Sequence, residues 1–357
     1  MLSTQLSGRF EQSTDRRWSE LEHLLRQPSR VVILTHKNPD GDAVGSALGM
    51  MRILNKAGHH RVSVIIPDSS PAFLRWLPGH SSILIYERNP ESAAKELTSA
   101  ELVIMVDFND PERLGTEIQT LLEKITKPSV LIDHHPGGTG FARYNFSFPQ
   151  FGSTAELIYE ILKRLRLIDL LDTDSATCLL TGIITDTLGF KVSSSSPALF
   201  RTVADLLEYG VKIDEIFNRV YNQFSAERLR FTGYCLSEKM VILPDLQTAY
   251  IWLTKEEMNR FSHQKGDTEG LVNYPLSIAG ISIAVLFTEQ DDHIKLSLRS
   301  KGDLPVNELA SKYFKGGGHL NAAGGKSYRS MKETLAYFEK ILKEFLNQPK
   351  LPPDNEK

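Results

Sequence analysis

Three short apolar runs decide most of what this chain can fold into. Val31-Val32-Ile33-Leu34, Leu102-Val103-Ile104-Met105-Val106 and Ser129-Val130-Leu131-Ile132 are continuous and rich in β-branched residues, as expected of strands covered on both faces in a parallel sheet. Each run ends in polar residues: His36 lies just past the first, Asp107 closes the second, and Asp133-His134-His135-Pro136 closes the third. In open parallel α/β sheets ligands collect at the carboxyl ends of the strands. An α/β fold would therefore bring these residues together.

The first cluster is the densest. Thr35-His36-Lys37-Asn38-Pro39-Asp40-Gly41-Asp42-Ala43-Val44-Gly45-Ser46 places one imidazole and two carboxylates on a tight loop. From Ser46 through Ala57 the spacing of Ala47, Leu48, Met50, Met51, Ile53 and Leu54 predicts an amphipathic helix ended by Gly58. Asn-Pro-Asp-Gly-Asp is also good turn sequence, since Pro presets φ and Asp bonds its own backbone. Two carboxylates two residues apart repel each other, however, and a divalent cation removes that conflict.

The arrangement recurs downstream, at Asp107, at Asp133-His134-His135 and at Asp186, which follows Leu179-Leu180-Thr181-Gly182-Ile183-Ile184-Thr185. That last run fits a buried helix or a strand. Each acid alone reads as a cap or turn residue. Together the four sites offer at least six metal-binding groups, His36 and His134 among them. Such a set suits two ions about 3.5–4 Å apart sharing a carboxylate, an arrangement that activates water and stabilises the leaving oxygen in phosphoryl transfer. Carboxylates dominate and two imidazoles accompany them, which favours Mn²⁺ over zinc, with Mg²⁺ or Co²⁺ as alternatives.

His36-x-x-x-Asp40-x-Asp42, Asp107, the Asp133-His134-His135 triplet and Asp186 resemble, in order and spacing, the four motifs of the DHH phosphoesterase superfamily. Gly316-Gly317-Gly318-His319-Leu320-Asn321-Ala322-Ala323-Gly324-Gly325 resembles the glycine-rich signature of the DHHA1 domain that accompanies the catalytic domain in one branch. The two-domain layout is similar to the NrnA-type proteins of that branch, which hydrolyse very short oligonucleotides and, in many members, remove the 3′-phosphate of adenosine 3′,5′-bisphosphate. The resemblance implies a parallel-sheet N-terminal DHH domain, a smaller α/β DHHA1 domain and a cleft between them. It implies His36, Asp40 and Asp107 around one ion, and Asp42, Asp107, His134 and Asp186 around the other, with Asp107 bridging. His135 would face the substrate phosphate. Expected partners are short RNA or DNA oligonucleotides or a nucleotide bisphosphate, and a homodimer is left open. The alternatives are a phosphodiesterase for cyclic or linear dinucleotides (c-di-AMP, pApA), a pyrophosphatase, which the glycine-rich second domain disfavours, and a non-catalytic nucleotide sensor.

The C-terminal glycines carry a physical argument of their own. Gly316, Gly317 and Gly318 would let backbone N–H groups approach an anion closely, with the His319 imidazole beside them, although a glycine triplet also serves as a linker or tight turn. Just upstream, Ile294-Lys295-Leu296-Ser297-Leu298-Arg299-Ser300 alternates as a strand with Lys295, Ser297 and Arg299 on one face. Arg299 is either a surface residue or a bidentate phosphate contact in the same pocket.

Composition bounds these readings. At 357 residues and 41% hydrophobic content the chain can bury two cores. A net charge of −3 argues against a protein that coats long nucleic acid, which needs many Lys and Arg contacts to phosphate. No stretch approaches a membrane span and the N-terminus lacks a signal-peptide layout, so the cytoplasm is expected. Cys178 and Cys235 lie in apolar periodic segments and read as small buried residues.

The expected division is a catalytic domain over residues 1–192, a linker with helices over 193–225, a substrate-binding domain over 226–347 and a disordered tail over 348–357. Lys191-Val192-Ser193-Ser194-Ser195-Ser196-Pro197 opens the linker, followed by a helix from Pro197 to near Gly210 and another from Ile213 to Tyr221. Strands are expected in Met240–Leu253 and Ile278–Phe287, and a helix from Met331 to Leu346. The segment before Ser29 reads as a helix carrying Trp18, Leu21, Leu24 and Leu25.

Overall fold

The apolar runs become the centre of a six-stranded sheet in the computed structural model, which describes Phe10 and residues 16–192, 196–264 and 266–346. Contacts divide the chain into two units, Met1–Gln223 and Phe224–Lys357. The first unit contains, in order, α1 (Arg16–Arg26), β1 (Arg30–Leu34), α2 (Gly41–Lys56), β2 (Arg61–Ile66), β3 (Leu84–Ile85), α3 (Pro90–Ser99), β4 (Leu102–Val106), α4 (Thr116–Leu122), β5 (Ser129–Asp133), β6 (Tyr144–Ser147), α5 (Thr154–Arg164), α6 (Thr173–Asp186), α7 (Pro197–Leu207) and α8 (Ile213–Tyr221).

The strands run in the order β3-β2-β1-β4-β5-β6, and every pair is parallel. The chain builds outward from β1 in one direction and then resumes at β4 in the other, so the switch point lies between β1 and β4. That is where open α/β sheets place their ligands. Burial explains why the runs lack a polar alternation. Val31, Ile33, Leu102, Ile104 and Val106 enter the core built with α1, α2, α5 and α6, while Val32, Leu34, Val103 and Met105 enter the core built with α3 and α4. Each face needs apolar side chains, and from Val31 to Leu34 and Leu102 to Val106 every position is buried.

Two readings of this unit are sharpened. Helix α2 begins at Gly41, five residues before the expected Ser46, because the Asp40 side chain accepts the Asp42 and Ala43 amides and caps the first turn. The two carboxylates of the first motif are thus a cap residue and a first-turn residue, not members of a free loop. The run before Asp186 is helical. A reciprocal cap between Asp172 and Ser175 starts α6, and Gly182 lets it approach closely, since a Cβ there would lie 2.7 Å from Ala155 Cβ and 2.8 Å from Asp42 Oδ1. Helices α7 and α8 bury Leu199, Val203, Leu206, Ile216 and Val220 in the first unit's core. Ser193, Ser194 and Ser195, and the tail Gln348–Lys357, lie outside the described residues.

The second unit contains α9 (Ala226–Glu238), β7 (Met240–Leu243), β8 (Thr248–Leu253), α10 (Lys255–Arg260), β9 (Ile283–Glu289), β10 (Ile294–Ser300), α11 (Val306–Tyr313), β11 (Gly317–His319), β12 (Ala322–Ser327) and α12 (Met331–Leu346). Its sheet runs β11-β12-β10-β9-β8-β7, with β8 and β9 parallel and the other pairs antiparallel. Tyr250, Phe287, Leu296, Phe314 and Phe338 fill the core between one sheet face and the helices α11 and α12. Cys178 and Cys235 are buried free thiols, as their apolar settings predicted. Among the described residues no helix is long and apolar enough to cross a membrane.

Candidate active site

The cluster at the switch point is assembled from five elements. His36 leaves the end of β1, Asp40 caps α2 and Asp42 sits in its first turn, Asp107 follows β4, His134 follows β5, and Asp186 ends α6. His36, Asp42, Asp107 and His134 are all buried. The ligating atoms of His36, Asp40 and Asp107 lie within 4.8 Å of one another, as do those of Asp42, His134 and Asp186.

Asp107 stands between the two groups. Its Oδ2 is 3.5 Å from His36 Nε2 and its Oδ1 is 3.6 Å from His134 Nε2. His134 Nε2 is also 3.6 Å from Asp186 Oδ2 and 3.9 Å from Asp42 Oδ2. The Asp107 backbone is held at φ 68°, a left-handed conformation that costs a non-glycine residue about 1–2 kcal/mol.

Hydrogen bonds fix which nitrogen of each imidazole faces the cluster. His36 Nδ1 donates to the Lys37 carbonyl at 2.9 Å, and His134 Nδ1 donates to the Phe151 carbonyl at 3.3 Å. Both Nε2 lone pairs are therefore aimed inward, the usual support for a metal-binding histidine. Among the described residues His36 Nε2 is buried with no hydrogen-bond partner, an arrangement that costs energy unless a ligand completes it. Asp42 accepts the Thr154 amide at 2.7 Å and the Ala155 amide at 2.9 Å, and Asp107 Oδ1 accepts the Thr154 hydroxyl at 2.9 Å.

The electrostatics call for cations. Burial pushes the Asp42 carboxyl well above the ordinary carboxylate range, and the charge of Asp107 adds to the rise. Burial acts the same way on Asp107, reinforced by Asp40. Burial would raise Asp40 too, but His36 and the Ala43 amide outweigh it and hold it low. His134 is raised because Asp107 and Asp42 outweigh its burial, while burial and then Arg113 lower His36. These residues could hold metal ions. Oxygen and imidazole donors converge, His36 Nε2 makes no hydrogen bond among the described residues, and like charges press on each other.

His135 differs from His134. Its Nδ1 donates to Asp133 Oδ1 at 2.7 Å and its amide donates to Asp133 Oδ2 at 3.1 Å, so the fully buried Asp133 clamps it in place. Its Nε2 faces Arg113, and burial, followed by the charges of His134 and Arg113, holds the imidazole well below its usual pKa.

Sequence reasoning missed three supports. Thr154, the first residue of α5, touches both Asp42 and Asp107. Asp68 accepts the Asn38 amide at 2.7 Å and so pins the turn between His36 and Asp40. Arg113, in a short 3₁₀ turn over Pro111–Leu114, accepts the Lys37 amide on its carbonyl at 2.7 Å. None of them lies beside a motif, and only tertiary contact reveals them.

The second unit's residues form one row across its sheet. Arg299 on β10 pairs with Ala322 on β12, and Ala322 pairs with His319 on β11. Directly paired residues project from the same face, so Arg299 and His319 share a face, about two strand spacings or roughly 10 Å apart. The next row on that face is Ser297, Gly324 and Gly317, which gives the face a floor of small residues. Gly317 and Gly318 belong to the edge strand β11, with Gly316 just before it, and do not form an open loop. A Cβ on Gly316 would lie 1.9 Å from the Gly324 carbonyl oxygen, and one on Gly318, whose φ is 142°, would lie 2.4 Å from that of Ala322. Packing therefore requires Gly316 and Gly318, whereas Gly317 has open space around it.

Comparison with known proteins agrees with this geometry. The family profile described as "DHH family, N-terminal domain" matches residues 30–183, and the DHHA1 domain profile matches residues 248–348. The chain is 31% identical to the bifunctional oligoribonuclease and PAP phosphatase NrnA of Thermus thermophilus, over 82% of this chain and 83% of that one. It is 27% identical to the protein of the same name from Bacillus subtilis, over 91% of this chain and 99% of the relative. A crystal structure of an exopolyphosphatase-related protein from Bacteroides fragilis superposes with a TM-score of 0.87 at 38% identity, covering 92% of this chain and 96% of the other. The protein is thus a member of the DHH phosphoesterase family, in the NrnA-like branch that joins a DHH domain to a DHHA1 domain.

Proposed function

We propose that this protein is a metal-dependent phosphoesterase that hydrolyses short oligonucleotides to mononucleotides and also removes the 3′-phosphate of adenosine 3′,5′-bisphosphate. The observation that carries the reading is Asp107, whose two oxygens face two separate donor groups. Support also comes from the relatives named as oligoribonuclease and PAP phosphatase.

The proposed ligands are His36, Asp40 and Asp107 for one ion, and Asp42, Asp107, His134 and Asp186 for the other, with Mn²⁺ as the first choice and Mg²⁺ or Co²⁺ as alternatives. When bound, such a pair supplies an activated water and charge stabilisation for in-line displacement at phosphorus. The chain's own work is positional. The carbonyls of Lys37 and Phe151 hold the two imidazoles in the tautomer that can bind, Thr154 orients Asp42 and Asp107, and Asp133 fixes His135 toward the substrate phosphate. In the second unit Arg299, Gly316, Gly317, Gly318 and His319 are proposed to hold a nucleotide phosphate, with Arg299 and His319 as its charged and polar contacts. The metals provide the positive charge that a chain of net charge −3 does not, which suits a substrate of a few nucleotides and no long nucleic acid. The cytoplasm is the proposed compartment.

The test is a Mn²⁺-supplemented panel of RNAs of graded length, linear and cyclic dinucleotides, and adenosine 3′,5′-bisphosphate. Release of mononucleotide from the shortest RNAs and of phosphate from the bisphosphate supports the reading. Turnover of cyclic dinucleotide alone would replace it with the phosphodiesterase alternative, and binding without turnover would favour a sensor.

A further inference from the structure

We propose that Arg113 is a substrate-phosphate ligand of the first unit and adds a positive charge of the chain's own to the site that receives the reacting phosphoryl group. The inference rests on the phosphoesterase reading above and assigns a role to a residue outside the motifs.

Arg113 is half-buried, and its guanidinium Nη1 donates to His135 Nε2 at 3.3 Å. An arginine can only donate. His135 Nε2 must therefore offer its lone pair, which places the ring proton on Nδ1, where Asp133 Oδ1 accepts it at 2.7 Å. The three residues form a directed chain, Arg113 to His135 to Asp133, in which the imidazole is neutral. On the side proposed to face the substrate phosphate, His135 then orients the charge of Arg113 and supplies none of its own.

The arginine's surroundings say what it is for. Among the described residues it forms no ion pair with a carboxylate, although it lies beside a cluster of carboxylates. Asp42 is engaged by the amides of Thr154 and Ala155, and Asp40 by those of Asp42 and Ala43. Dications in the cluster would take up its carboxylates and leave a guanidinium at its edge without a counter-ion of its own. A phosphate supplies one, and the planar fork of an arginine matches two of its oxygens. The attachment is also rigid, since the Arg113 carbonyl accepts the Lys37 amide at 2.7 Å and Lys37 in turn accepts the His36 Nδ1 proton. This fixes Arg113 to the segment that bears the first donor group, as a preorganised phosphate contact requires.

The contact with Lys37 is made by backbone, so truncating the side chain leaves it in place. The experiment compares wild type, R113A and R113K in kcat/KM for a dinucleotide with Mn²⁺, in rescue by added guanidinium ion, and in calorimetric affinity for orthophosphate with Mg²⁺. R113A is expected to lose about 10²–10³-fold in kcat/KM, to recover in part with guanidinium but not with urea, and to bind orthophosphate about tenfold more weakly. R113K, which keeps the charge and lacks the fork, should fall between. Wild-type turnover and phosphate affinity in R113A would overturn the proposal. So would a loss that guanidinium does not rescue and that is matched by weaker metal binding, because Arg113 would then only support the His36 segment. If wild type cuts no ester, the functional reading fails, while the orthophosphate comparison still decides the role of Arg113.

Discussion

Thr154 joins two buried carboxylates of the candidate active site: its hydroxyl donates to Asp107 Oδ1 at 2.9 Å and its amide donates to Asp42 Oδ2 at 2.7 Å. A residue at the first position of a helix thus sets the orientation of the proposed bridging ligand. T154V keeps the volume and the amide but removes the hydroxyl. Loss of such a support is expected to weaken metal binding and turnover by about 10–100-fold, with a stability cost of about 1 kcal/mol. Calorimetric titration with Mn²⁺ beside a thermal melt checks both, and an unchanged metal affinity would show that the hydroxyl contributes nothing.

Asp107 should affect stability and activity in opposite directions. Its carboxyl is raised by burial and by Asp40, and it raises Asp42 in turn. D107N relieves that repulsion and suits the φ of 68°, since asparagine tolerates the left-handed region better than most residues. Without metal the variant is expected to be more stable than wild type, because one of two mutually repelling buried carboxylates has lost its charge. Turnover should be lost, together with the stabilisation that Mn²⁺ gives wild type. Melts with and without metal provide the readout.

The glycine triplet separates packing from binding. G318A forces a side chain to within 2.4 Å of the Ala322 carbonyl oxygen at φ 142°, and a cost of more than about 2 kcal/mol is expected. G317A meets nothing within 4 Å, so its melting temperature should stay at that of wild type. A rise in KM for G317A at unchanged stability would report contact with substrate, and H319A should likewise raise KM more than it lowers kcat. An unchanged KM in both variants would remove the anchor from the account.

A pH effect is expected away from the active site. Burial alone would raise Glu257, but the ammonium of Lys239 at 2.6 Å, the Thr254 amide and the Tyr234 hydroxyl outweigh it and hold the carboxyl at about 2, against an ordinary value of 4.5. A depressed carboxyl stabilises the fold above its unfolded value, and that contribution is lost as pH falls through 4.5 toward 2. Trp252, whose ring lies 3.0 Å from Lys239 Nζ, reports the change by fluorescence. E257Q should flatten the stability profile in that window and cost about 1–2 kcal/mol at neutral pH.

Much of this was legible because the site follows from the sheet. Strands buried on both faces read as unbroken apolar runs, and their carboxyl ends are where polar residues gather, so the meeting of His36, Asp107 and His134 at one end of the sheet follows from their positions after the runs. Asp42 was found but misplaced. Its turn-like neighbours Pro39 and Gly41 conceal a helix that starts as soon as Asp40 can cap it. The short edge strands β3 and β6 and the supports Asp68, Arg113 and Thr154 leave no periodic trace, since their roles come from contacts between segments far apart in the chain. Gly316 and Gly318 read as an anion loop because glycine signals permissiveness, and only the facing strand shows what the permission is for.

The most direct test of the central claim is calorimetric titration of the metal-free protein with Mn²⁺, with release of mononucleotide from a dinucleotide RNA followed in the same samples. The account predicts uptake of two ions per chain, turnover that rises with occupancy, and loss of one or both ions together with turnover in D107N. Turnover that persists in chelator, or a protein that takes up no Mn²⁺, would contradict it.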